Sequence, residues 1–270
     1  MSTGINAVKV TAKTVLKGNW LRVIAVCLII VFTDLIGTYT ISLLSMVLGE
    51  IISKILVASF NIFLVLPLIL GGIRYVWRML FDADDSPLYV FYWFSSRELY
   101  KSAIHFIIMI ILRVAGWLAI LNIPTLLMYI LSKTYVFDMF NLSMPLWAAN
   151  LEYAMKFVQN ASVIVTFVIM LKYYISPILF VADDGIDAAE ALHMSKVISR
   201  KTGIDFIYLI FSFLAWIFLS TLVLPLIFTL PYMLTSYAVH VRFAVAEYNL
   251  HIENIQKENF NFLNQVSQYE

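Results

Sequence analysis

The sequence predicts an all-α fold, a polytopic transmembrane helical bundle of about six spans, and three observations predict it. The first is composition: of 270 residues, 62% are hydrophobic and 13% charged, against about a quarter charged in soluble domains. The second is that the apolar residues fall in runs near the roughly 20 residues that a helix needs to cross hydrocarbon. The third is that Lys and Arg gather at alternate ends of these runs, as they do when they mark a cytoplasmic face.

The spans are expected at about 20–48, 52–80, 103–131, 157–182, 206–222 and 226–247. The first run follows Lys17 and continues without a small-x-small cleavage site, so it reads as a retained span. The first two runs exceed the minimum and imply tilt or projection beyond the bilayer. Residues 206 to 247 are almost unbroken, and the division near Pro225 rests on proline disfavouring helix in the residue before it. Thirteen of the 18 basic residues fall on one face under this reading. They are Lys9, Lys13, Lys17 and Arg22; Arg74, Arg78, Arg97 and Lys101; Lys196, Arg200 and Lys201; and Arg242 and Lys257. Both termini are therefore expected in the cytoplasm, in a single membrane domain over 1–250 followed by a polar tail, 251–270.

A repeat underlies the spans. "AKTVLKGNWLRVIAV", "SSRELYKSAIHFIIM" and "SKVISRKTGIDFIYL" each set a basic amphipathic stretch directly before an outgoing apolar run, the pattern of an interfacial helix lying along headgroups. Pro67 precedes Arg78 by the same interval at which Pro231 precedes Arg242. The expected architecture is three hairpins, each with a cytoplasmic interfacial amphipathic helix.

"FDADDSP" and "FVADDGI" close the second and fourth spans. Asp82, Asp84, Asp85, Asp183, Asp184 and Asp187 could hold Mg²⁺ against a phosphate, since that ion takes carboxylate oxygens. The acidic motifs of intramembrane prenyltransferases, with Asp at helical spacing and nearby Asn, are absent. The expectation is punctuation instead. Asp187 with Glu190 three residues on resembles a capping box, and Ser86 can cap with Pro87 in the first helical position. Ala188, Ala191, Leu192, Ser195 and Ile198 would then line one helix face, with Glu190, His193 and Arg200 away from it.

Three charges fall inside spans: Asp34, Arg113 and Lys172. Such residues usually face a partner or a cavity. At ~1.5 Å per residue, Arg113 and Lys172 lie ~16 Å and Asp34 ~21 Å from the cytoplasmic ends of their spans, so a packing pair or a polar cavity is expected. Pro67, Pro124, Pro177, Pro225 and Pro231 are candidate kinks or hinges. His105, His193, His240 and His251 show no metal-ligand spacing. Cys27 is the one cysteine, so no intrachain disulfide forms, and an apolar run disfavours its thiolate. A net charge of +1 makes no electrostatic case for nucleic acid. No metal centre or cofactor is expected.

"LKGNWLRVI", "YYISPILFVADDGIDAAEALHMSKVISRKTGIDFIYLIFSFLAWIFL" and "PYMLTSYAVHVRFAVAEYN" resemble the bacterial integral membrane proteins grouped as domain of unknown function 975, over about residues 5–250. That family is similar to the membrane part of some glycerophosphodiester phosphodiesterases, whose soluble barrel this chain lacks. The resemblance implies a bacterial cell-membrane protein and transfers no functional residues. With no nucleophile elbow, phosphate loop or dinucleotide loop in the chain, the expected function is non-catalytic. It is an accessory or scaffold that binds membrane lipids, another membrane protein or itself. The alternatives are a small transporter or lipid-handling protein with Asp34, Arg113 and Lys172 around a central cavity, and a metal-dependent lipid-phosphate enzyme using the aspartates.

Overall fold

The computed structural model describes residues 4–133, 151–219 and 223–266, and every regular element among them is helical. In chain order these are α1 (Ile5–Leu16), α2 (Trp20–Leu48), α3 (Glu50–Phe60), a π-helical turn (Asn61–Val65), α4 (Leu66–Met79), a 3₁₀ segment (Pro87–Phe94), α5 (Arg97–Leu121) and α6 (Ile123–Lys133). After the undescribed stretch come α7 (Leu151–Met170), a 3₁₀ turn (Leu171–Tyr173), α8 (Ser176–Ala182), α9 (Ala188–Phe211), α10 (Leu214–Leu219) and α11 (Val223–Val266). Among the described residues, four stretches are long and apolar enough to cross a membrane: Trp20–Leu44, Glu50–Met79, Arg97–Leu121 and Tyr153–Ala182.

The first two spans lie where the apolar runs put them, and Gly49, at φ +83°, makes the turn between α2 and α3. The third begins earlier than expected and stops at Leu121 instead of running to 131. Pro124 brings no N–H to the ladder, and the Asn122 amide donates to the Leu118 carbonyl at 2.8 Å, which closes the helix early. The fifth expected span ends on residues 220–222, outside the described residues. Its helix differs from the expected pattern: α9 runs unbroken from Ala188 to Phe211, with no break between the amphipathic stretch and the apolar one. Near Pro225, where the division is expected, the described residues are helical. Pro225 is the third residue of α11, in a first turn where no intrahelical N–H bond is lost. Helix α11 then continues to Val266, well into the polar tail.

Two compact units result, Met1–Ile107 with Tyr173–Glu270, and Ile108–Lys172. In the first, α1 buries Val8, Ala12 and Leu16, one residue per turn, and packs on α11. Helix α4 carries the 3₁₀ segment on its back. A Cβ at Gly71 would stand 1.9 Å from the Val90 carbonyl oxygen, so only glycine admits that approach. Helix α8 packs on both α4 and α9. The buried side of α9 is Ala188, Ala191, Leu192, Ser195 and Ile198, while Glu190, His193 and Arg200 are exposed. In the second unit α6 packs on α7, tied by the Asn122 amide to the Ser162 hydroxyl at 2.9 Å.

Candidate functional site at the acidic turns

Helix α4 presents Arg74 and Arg78, one turn apart, toward the two acidic turns. Arg74 is 6% exposed, a depth at which a guanidinium needs partners. It donates to both Asp184 carboxylate oxygens, at 2.8 and 3.0 Å. It also donates to the Val181 carbonyl at 2.7 Å and to the Tyr89 hydroxyl at 3.3 Å. The planar fork matches the carboxylate in the bidentate geometry that lysine cannot supply. The Tyr92 ring lies 3.9 Å from the guanidinium carbon, and its hydroxyl donates to Asp184 at 2.8 Å. Burial, and then that hydrogen bond, push the Tyr92 hydroxyl up to about 12.

The neighbouring turn is held in the same way. Arg78 donates to Asp85 at 2.6 Å, and Arg22 of α2 pairs with Asp84. Asp82 takes a left-handed backbone at φ +58°. From α11, Arg242 donates to the Leu80 carbonyl at 2.9 Å and lies over the Phe81 ring. Asp183 accepts from the Gly185 amide at 2.9 Å. Asp187 holds the N-cap position of α9, but its side chain makes no capping hydrogen bond, so the expected capping box is not formed. Ser86 does accept from the Leu88 amide, ahead of Pro87. Among the described residues no group of three or more His, Cys, Asp or Glu is placed to hold a metal ion.

Beside the Arg74–Asp184 pair lies a cavity of about 240 Å³ bordered by Trp93, Glu98, Ser102 and Asp184. The Trp93 ring stacks on Phe180, which stacks on Phe106. Its indole N–H is buried with no hydrogen-bond partner among the described residues. The walls thus offer the Ser102 hydroxyl and the Glu98 and Asp184 carboxylates to a small polar group.

The remaining sequence candidates belong to different units. Asp34 belongs to the first unit and accepts from the Thr38 hydroxyl at 3.3 Å. Arg113 and Lys172 belong to the second, where the Lys172 ammonium lies 5.3 Å from the Trp117 ring centroid. Sequence reasoning counted Arg74 only as a flanking cation. Its signal was position, since "LILGGIRY" places it inside an apolar helix with Arg78 one turn on. A second buried cluster was missed entirely. The Tyr174 hydroxyl lies 2.8 Å from the Thr202 hydroxyl and 3.0 Å from His240 Nε2. The Phe206 ring stacks on Tyr174 and His240, and the Tyr237 hydroxyl donates to the Tyr174 carbonyl.

No curated protein and no solved structure matches the chain. One family model does, over residues 1–244, and it covers both acidic turns, Arg74 and Arg242. The chain belongs to the family described as "Protein of unknown function (DUF975)".

Proposed function

We propose that the chain is a polytopic protein of the bacterial cytoplasmic membrane, with six spans in three hairpins, both termini inside, and a non-catalytic accessory or scaffolding role. Its partners in this reading are membrane lipids and the helices of another membrane protein or of a second copy. The amphipathic parts of α1, α5 and α9 lie at the inner interface, where their basic residues meet headgroups.

One observation carries the non-catalytic part. The carboxylates dense enough to hold a metal and a lipid pyrophosphate are engaged by arginines of the same chain: Asp84 by Arg22, Asp85 by Arg78 and Asp184 by Arg74. Of these arginines Arg74 is buried, so Asp184 cannot pass to Mg²⁺ without leaving a buried cation unpaired. The membrane-facing part rests on side chains such as Phe32, Leu35, Ile36, Leu112, Val163 and Phe167, all large, apolar and exposed on the candidate spans.

The test is extraction in a gentle detergent after crosslinking in intact membranes. A scaffold co-purifies with a constant partner or with itself. A monomer without partner in several mild detergents counts against the role, as does Mg²⁺-dependent turnover of a lipid phosphate.

A further inference from the structure

Helices α9 and α11 enclose a cleft of about 400 Å³ next to the apolar half of α9. Helix α9 contributes Arg200 and Lys201, and α11 contributes Tyr248 and His251. The floor is apolar, with Ile198 and Ala244 buried beneath. Glu247 stands on the wall, so Arg200 and Lys201 against one carboxylate leave a net positive charge. At the acidic turns each arginine of α4 has its own aspartate, whereas Arg200 and Lys201 enter no ion pair among the described residues.

The cleft does not stand alone. From Lys201 the same face of α9 continues through Ile204, Tyr208 and Phe211, which are 67%, 57% and 61% exposed. Their spacing of three and four residues keeps them in one stripe, which at 1.5 Å per residue extends about 15 Å beyond Lys201. A cationic cleft running into an exposed apolar stripe has the shape of an amphiphile. Its position agrees, because Tyr248 lies about 9 Å along α11 past Arg242, the residue that holds the turn after α4.

We infer that this cleft seats the phosphate of an anionic membrane phospholipid, with Arg200 and Lys201 on the headgroup and an acyl chain along Ile204, Tyr208 and Phe211. Arginine and lysine both suit phosphate oxygens, the first as a fork and the second as a point charge. Tyr248 and His251 can add donors to the same oxygens. The inference rests on the membrane reading above and adds a specific lipid class to it.

The test uses the purified full-length chain in a neutral detergent, titrated with phosphatidylglycerol, phosphatidylcholine or inorganic phosphate, with retained ligand counted by native mass spectrometry. Phosphatidylglycerol is expected to bind at least about ten-fold more tightly than phosphatidylcholine, and R200Q/K201Q to remove that preference. R200K/K201R, which keeps both charges, retains it. Lys196→Gln, exposed on the same helix outside the cleft, leaves it unchanged; an equal loss there means diffuse surface charge and overturns the site. Inorganic phosphate binding as tightly as the lipid also overturns it, in favour of a soluble ligand. The membrane reading is checked separately on the wild type. A chain that carbonate washing strips from membranes fails that reading, while one that stays but shows no headgroup preference fails only this inference.

Discussion

Pro67 sits within the helical rod formed by α3, the π-helical turn and α4, and its missing N–H orphans the carbonyl four residues earlier, that of Phe63. In a membrane no water is at hand to repair this, so the protein must. Two devices do so. The π-helical turn widens the rod just before the proline, and the Tyr100 hydroxyl donates to the Phe63 carbonyl at 2.9 Å. Pro177 is treated alike: the Ser176 hydroxyl donates to the Tyr173 carbonyl at 2.7 Å, and Tyr237 takes the next carbonyl, that of Tyr174. The first case predicts a coupled pair. Tyr100→Phe should cost about 1 kcal/mol of stability in the wild type. In a Pro67→Ala background, where residue 67 can donate again, the same change should cost almost nothing. A double-mutant cycle by thermal unfolding in detergent measures the difference, and equal costs in the two backgrounds would refute the repair. Arg74 supports a second prediction at this scale. Removing one partner of a fully buried pair costs about 3–5 kcal/mol, but the Asp184 side chain is 48% exposed, so screening by water lowers the expected loss for Arg74→Met to about 2 kcal/mol. Arg74→Lys should recover little of it, because an ammonium cannot span both carboxylate oxygens.

At the scale of elements, the legible and the illegible part along one line. Amphipathic faces were legible because burial follows helical period: the side of α9 that packs inward is the one its residue spacing marks. Span ends were less so. The Asn122 break depends on one amide meeting its own helix and Ser162, and apolar runs carry no trace of that. The acidic turns were read as punctuation and not as ion-pair partners, since Arg74 and Asp184 are 110 residues apart. Nothing in either local sequence names the other. Gly71 meets the Val90 backbone, a close approach that its local sequence does not name. That element pair yields a contrast. Gly71→Ala would drive a Cβ into the Val90 carbonyl at 1.9 Å, a backbone contact that cannot swing away, with an expected loss of about 2–3 kcal/mol. Gly116→Ala, in α5 with nothing within 4 Å, should gain about 0.5–1 kcal/mol from helix propensity alone. Thermal unfolding of the two variants side by side checks both signs.

For the whole molecule, the number of crossings is an arithmetic question that the termini cannot answer. Four spans and six both return the chain to its starting face, so accessible ends inside the cell fit either. The basic residues do not decide it, since Lys196, Arg200 and Lys201 are cytoplasmic in both. What differs is the short connection between α10 and α11. With six spans it faces outward; with four, everything after Ala182 stays inside. Because Cys27 is the one native cysteine, a Cys27→Ser background gives a clean reporter. A cysteine placed at Thr221 is expected to react with a membrane-impermeant maleimide added to intact cells, while one placed at Lys17 or Lys196 reacts only after the membrane is opened. Protection at Thr221 with normal insertion would leave four crossings. The amphipathic cleft between α9 and α11 would keep its inner position in that case, but the stripe of Ile204, Tyr208 and Phe211 would lie along the bilayer surface instead of descending into it. Labelling of Lys196 from outside would invert the orientation and with it every assignment of an inner face.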